Sequence, residues 1–127
     1  MADENLKNFF IDGAGARPDG TGSGFAWIRV DQDAQMVKCV DGLTNNAAEY
    51  RALIAVLKYL ASGSTAVIRS DSQLLVQQFN GAWAVRDPHL SMLLSEARAL
   101  IDEKGLKIKL RWIPRGENLA GKLLDRR

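Results

Sequence analysis

From Asn8 to Ala14 the chain alternates with the two-residue period of a strand: Phe10, Asp12 and Ala14 share one face, Phe9 and Ile11 the other. The Asp12 face is expected to turn toward the interior. Gly13 to Gly24 is rich in glycine and carries Pro18-Asp19-Gly20, which marks a turn. Phe25 to Val30 and Gln35 to Val40 read as short strands joined through Asp31-Gln32-Asp33. The period then changes. Tyr50, Leu53, Ile54, Leu57, Leu60 and Ala61 recur at helical spacing, in a helix that starts near Asn45 or Asn46 and stops near Ser62-Gly63. Thr65 to Arg69 is a compact strand, and Ser70-Asp71-Ser72 can cap a short helix reaching about Asn80. Asp87-Pro88 pairs a cap with proline at the first helical position; the stripe from Leu90 to Ile101 continues that helix and Gly105 ends it. Lys107 to Ile113 alternates again, with Ile108, Leu110 and Trp112 opposite Lys107, Lys109 and Arg111. Charges on one face suit an edge strand. Pro114-Arg115-Gly116 turns into a last short helix from about Asn118.

The order βββαβα followed by αβα argues for an α/β domain, a mixed sheet covered by helices, and against a bundle or sandwich. The 127 residues suit a single domain, placed at 8–127 after a polar lead-in at 1–7. Phe25, Trp27 and Trp112 are expected in the core, and Trp83 is expected to anchor its loop to it. The net charge of +2 is compatible with nucleic acid without being diagnostic of it. One cysteine, Cys39, leaves no intramolecular disulfide and no zinc-site spacing. The first residues lack the basic and apolar regions of a signal peptide, and no apolar run is long enough to span a bilayer. A soluble cytoplasmic protein, without a membrane partner, is the expectation.

Three carboxylates stand beside small or amide residues at predicted element ends: Asp12 in Phe-Ile-Asp-Gly-Ala, Glu49 in Thr-Asn-Asn-Ala-Ala-Glu-Tyr, and Asp71 in Ser-Asp-Ser-Gln. Each has a plain structural reading. Asp12 can support a turn before Gly13. Glu49, three residues after Asn46, resembles the second half of a capping box. Asp71 can cap the next helix. Together they point elsewhere. A carboxylate on an interior strand face is costly without a partner. Carboxylates gathered by the fold would repel unless a hard cation sat among them, and Mg²⁺ takes such oxygen ligands together with substrate phosphate.

These segments, with Ser-Asp-Ser-Gln-Leu-Leu-Val-Gln-Gln and Trp112-Ile-Pro-Arg-Gly-Glu-Asn, resemble in order the four active-site segments of type 1 ribonucleases H, over about residues 8–125. The resemblance implies a ribonuclease H-like fold: a five-stranded mixed sheet, its first three strands antiparallel, with helices on both faces. It implies a metal-dependent endoribonuclease that hydrolyses the RNA strand of an RNA–DNA hybrid, leaving 5′-phosphate and 3′-hydroxyl ends. Asp12, Glu49 and Asp71 would be catalytic metal ligands. Two Mg²⁺ ions, with Mn²⁺ as a substitute or the preferred ion, would activate water and stabilise the leaving 3′ oxygen.

The fourth segment departs from the family pattern, Asn-x-x-Ala-Asp. Here the text is Asn118-Leu-Ala-Gly-Lys-Leu-Leu-Asp125, which puts Lys122, or with a one-residue gap Gly121, at the Asp position. Asn118 through its amide oxygen, Asp125, or no protein group at all are the alternatives for the fourth ligand. A weaker second metal site is expected. His89, the only histidine, stands at a helix start, away from the loop where the family often carries an assisting His; Arg115 occupies that stretch.

RNA differs from DNA by its 2′-hydroxyls, and amides both donate and accept. By family position Asn46, Gln73 and Gln77 approach the RNA strand, Gly13 belongs to the substrate surface, Asn45 supports its loop or meets DNA, and Thr44 contacts a DNA phosphate. The basic protrusion of some members is missing: the stretch from Gln78 to Pro88 has Arg86 as its single cation. Arg86, Arg115 and Lys122 are candidate phosphate contacts. A monomer acting on RNA–DNA hybrid is expected. The alternatives are a catalytically weakened binder of hybrid or double-stranded RNA, and a DNA-acting nuclease on the same fold.

Overall fold

The alternating and helical stretches form their elements close to where the pattern puts them. The computed structural model describes residues 6–124. Strands β1 (Leu6–Ala14), β2 (Gly24–Arg29) and β3 (Ala34–Cys39) are followed by helix α1 (Asn45–Tyr59), strand β4 (Thr65–Ser70), helices α2 (Gln73–Phe79) and α3 (Pro88–Lys104), and strand β5 (Lys107–Trp112). The strands make one five-stranded sheet in the order β3-β2-β1-β4-β5. β1–β2 and β2–β3 pair antiparallel; β1–β4 and β4–β5 pair parallel. This is the α/β ribonuclease H-like fold that the sequence predicts. β5 is an edge, as its charge pattern requires. Among the described residues, no helix is long and apolar enough to cross a membrane.

The main core lies on one face of the sheet. Phe9 and Ile11 of β1, Phe25 and Trp27 of β2 and Ile68 of β4 pack against Tyr50, Leu53 and Leu57 of α1, with Leu90, Leu93 and Ala97 of α3 behind. α3 is bounded by two local signals. The Asp87 carboxylate accepts from the His89 and Leu90 N–H groups, and Gly105 closes the helix in the left-handed conformation, φ 61°. The opposite face carries a smaller cluster, in which Ala14 and Ala26 meet Leu124.

Several expectations are corrected. The interior face of β1 is that of Phe9 and Ile11; Phe10 and Asp12 point to the other, half-covered face. A period of two cannot say which of its two faces is inward, and α1 docks on the more apolar one. β1 begins at Leu6, so Leu6 and Lys7 are strand rather than lead-in, paired with Thr65 and Ala66. The helix expected from about Asn118 is a 3-10 segment over Leu119–Leu124 among the described residues, and the turn before it holds another, Arg115–Glu117. Trp112 is 44% exposed and Trp83 47% exposed, so neither is core. Trp112 ends an edge strand, and its indole N–H donates to the Asp71 carbonyl at 3.1 Å, which holds the ring at the rim. Phe25 and Trp27 are buried as expected. Residues 1–5 of the lead-in and Asp125 lie outside the described residues.

Candidate active site

Backbone contact at Gly13 brings the first two carboxylates together. A Cβ on Gly13 would lie 2.4 Å from the Ala48 carbonyl carbon and 2.5 Å from the Glu49 nitrogen. Only glycine lets the end of β1 touch the first turns of α1 so closely. A second clamp follows, where the Gly15 N–H donates to Asn45 Oδ1 at 2.7 Å. The cap of α1 is Thr44, whose hydroxyl oxygen accepts from the Ala47 N–H at 3.1 Å. Glu49 therefore takes no part in capping, contrary to the capping-box reading. Ser72, not Asp71, caps α2 by accepting from the Leu75 N–H. Both acidic side chains are released from local duty.

Asp71 follows the end of β4, and Asp12 lies near the end of the parallel neighbour β1. Ligand oxygens of Asp12, Glu49 and Asp71 all lie within 4.8 Å of one another. Glu49 is 9% exposed, and its Oε1 is buried with no hydrogen-bond partner. Burial first, then the charges of Asp12 and Asp71, push the Glu49 carboxyl up to about 9; the Gly13 backbone amide and Arg115 pull the other way. Three hard oxygen donors, one of them a buried orphan, fit a hard divalent cation.

Asn118 is 5% exposed and reaches the cluster from the other side. Its Nδ2 donates to the Ile11 carbonyl at 2.8 Å and to Asp71 Oδ2 at 3.0 Å. Its Oδ1 accepts from the Ala120 N–H at 3.0 Å. Two acceptors on one side and a donor on the other define the amide orientation. Asn118 thus meets Asp71 as a donor, where an oxygen ligand was the leading expectation. A Cβ on Gly121 would lie 3.4 Å from Asp12 Oδ2. Gly121 therefore abuts Asp12, and among the described residues no carboxylate stands at that corner.

An open cleft of about 680 Å³ surrounds the cluster. Of the predicted residues it gathers Asp12, Gly13, Asn45, Asn46, Glu49, Asp71, Arg115, Asn118 and Lys122. Thr44, Gln73, Gln77 and Arg86 do not line it. Gln73 opens α2 and is exposed, Gln77 follows one turn later, and Arg86 is exposed in the loop before α3. Ser72 and Gly116 also line the cleft. Sequence reading missed them: Ser72 passes as a mere cap, and Gly116 as a turn residue.

A family model described as reverse transcriptase-like matches residues 11–124. The bifunctional protein Rv2228c of Mycobacterium tuberculosis is 39% identical over 87 residues, which is 67% of this chain and 24% of that protein. The chain thus spans about a quarter of the length of this curated relative. RNase H1 from the halophilic archaeon Halobacterium salinarum superposes with a TM-score of 0.78 at 30% identity, over 96% of this chain and 99% of that one. LC11-RNase H1, solved in complex with an RNA/DNA hybrid, superposes with a TM-score of 0.81 at 26% identity, over 92% of each chain. With the carboxylate cluster on this sheet and matches of this extent, the chain belongs to the ribonuclease HI family, within the reverse transcriptase-like group.

Proposed function

We propose that this protein is an endoribonuclease that hydrolyses the RNA strand of RNA–DNA hybrids, leaving 5′-phosphate and 3′-hydroxyl ends. The observation that carries the reading is the meeting of Asp12, Glu49 and Asp71 within 4.8 Å, with a buried, unpartnered Glu49 oxygen. These three would hold divalent cations, Mg²⁺ or Mn²⁺. Bound ions supply Lewis acidity, for the attacking water and for the leaving 3′ oxygen. Asn118 keeps the Asp71 carboxylate turned toward the cluster. Arg115 and Lys122, on the cleft wall, neutralise substrate phosphates. Asn46, with Gln73 and Gln77 on the flank, offers amides to 2′-hydroxyls. Asn45 holds its loop. The Thr44 hydroxyl oxygen is engaged by the cap, which leaves its O–H to donate to a DNA phosphate. Arg86 serves a phosphate farther along the duplex.

Cleavage of end-labelled hybrid, double-stranded RNA and double-stranded DNA in Mg²⁺ and in Mn²⁺, beside Asp71→Asn, tests the reading. Cleavage of hybrid alone, lost in the variant, is the expected result. One observation favours a second reading: among the described residues, Gly121 and Lys122 bring no fourth carboxylate to the cleft. Tight hybrid binding without cleavage in either metal would establish a binding module instead.

A further inference from the structure

β5 carries a file of cations that the cleft does not use. Lys107, Lys109 and Arg111 alternate along one face of this edge strand, and all three are exposed. Every second strand residue advances ~6.6 Å, so the file is about 13 Å long. Arg69 stands beside it, paired in register with Arg111 on β4. Its guanidinium lies over the Phe10 ring at 5.6 Å and donates to Asn8 Oδ1 at 3.1 Å, so it is held without a carboxylate. Among the described residues, none of the four forms a salt bridge. The alternating face of β4 and β5 bears no acidic residue. Edge protection accounts for charged side chains on an edge strand. The opposite edge, β3, has Lys38 as its single charged residue, so this sheet does not need three like charges to protect an edge.

The file leads away from the catalytic cluster. β5 runs parallel to β4, its end is fastened to Asp71 through Trp112, and Arg111 precedes that residue. From there Lys109 and Lys107 descend the side of the sheet. A stiff duplex seated across the strand ends cannot turn to follow the strand axis, whereas a flexible single strand can. Evenly spaced cations, without a salt bridge among the described residues and with no acidic residue on β4 or β5, complement one phosphodiester backbone.

We propose that Lys107, Lys109 and Arg111, with Arg69 beside them, form a track for a single-stranded nucleic-acid tail that leaves the hybrid held in the cleft. The inference rests on the proposed hybrid-binding function for what the cleft holds.

The test uses the full chain carrying Asp71→Asn, so that substrate survives, with and without K107E/K109E/R111E. The triple variant keeps a charged edge and reverses the track. Affinity is measured across a salt series for a short blunt hybrid and for the same hybrid with a single-stranded tail on either end. The tail is expected to tighten binding about 10-fold at low salt, on one end only. The triple variant should lose that gain and flatten the log–log salt slope by about 2, three contacts at ~0.7 each. Blunt-hybrid affinity should be unchanged. K107Q/K109Q/R111Q, checked for native circular dichroism, should give the same loss without reversed charge. A tail gain and salt slope that survive both variants overturn the track. Failure of the wild-type chain to bind or cut blunt hybrid counts instead against the cleft reading.

Discussion

Asn118 Nδ2 donates to Asp71 Oδ2 at 3.0 Å, from a side chain that also ties to the Ile11 carbonyl one residue before Asp12. One amide thus couples a carboxylate near the end of β1 to one just past the end of β4. Asn118→Ala should strand the buried Ile11 carbonyl and free Asp71, costing about 1–3 kcal/mol. Hybrid cleavage should fall at least tenfold with it. Asn118→Asp separates a positioning role from a ligand role. It offers oxygens but no donor, so repulsion should turn Asp71 away and weaken metal binding. Mn²⁺ affinity measured by calorimetry decides: tighter binding in Asn118→Asp would make Asn118 a ligand position.

Glu49 is a site residue maintained against stability. Its Oε1 is buried without a partner, and its proton is retained to about 9 against the ordinary 4.5. Glu49→Gln should stabilise the metal-free protein by about 1–2 kcal/mol, as expected where function costs stability. The same change should abolish divalent-cation binding. Urea denaturation with and without Mg²⁺ reads both effects: a stabilised variant whose midpoint no longer responds to Mg²⁺ is expected.

The pH dependence of the metal-free protein follows from the same group. Between the ordinary 4.5 and about 9, the unfolded chain has released a proton that folded Glu49 keeps. The stabilising contribution is complete below 4.5, declines as pH rises, and is lost above about 9. Denaturation in chelator at about pH 5.5, 7 and 8.5 should therefore show falling stability. Cation binding must displace this proton, so affinity should rise with pH. Calorimetry in buffers of different ionisation enthalpy should report about one proton released at neutral pH.

Gly121 borders the cluster beside Asp12, where the described residues supply no fourth carboxylate. A Cβ there meets Asp12 Oδ2 at 3.4 Å, an ordinary contact, so a larger side chain enters without backbone collision. Gly121→Asp should add a fourth carboxylate to the cluster. Metal-free stability should fall by about 1 kcal/mol from like-charge crowding. The stoichiometry or affinity for a second divalent cation should rise, which titration calorimetry measures directly.

Gly13→Ala should fail for the opposite reason. Its methyl would lie 2.4 Å from the Ala48 carbonyl carbon, against main chain that cannot yield. A loss of about 3 kcal/mol, at the upper end of overpacking costs, is expected in chemical denaturation. Gly13→Ala measures how much of the site depends on the closeness of β1 and α1.

The three carboxylates, their segments and the two switches of period were legible because they are local: a strand alternates, a helix repeats, and caps sit at fixed offsets. The prediction that β5 is an edge came from the same source, since unpaired edges are charged. The inward face of β1 was not legible, because Phe9-Ile11 and Phe10-Asp12-Ala14 are both plausible core faces until α1 lands on one of them. The exposure of Trp112 was hidden for the same reason, since alternation places it beside Leu110 while the strand ends at the sheet rim. The last segment read as a helix and is 3-10, because its first turn is held by Asn118 contacts reaching back to β1 and Asp71.

By itself, the sequence determined where the strands and the longer helices form and which residues offer carboxylate oxygens, since both depend on neighbours a few positions apart. Tertiary structure alone decided that Asp12, Glu49 and Asp71 converge, that Asn118 turns its nitrogen rather than its oxygen to Asp71, and that Gly121 borders Asp12. Those relations join residues separated by tens of positions along the chain. They are settled by backbone approach at Gly13 and by which buried donor finds which acceptor, and neither quantity exists until the sheet has closed.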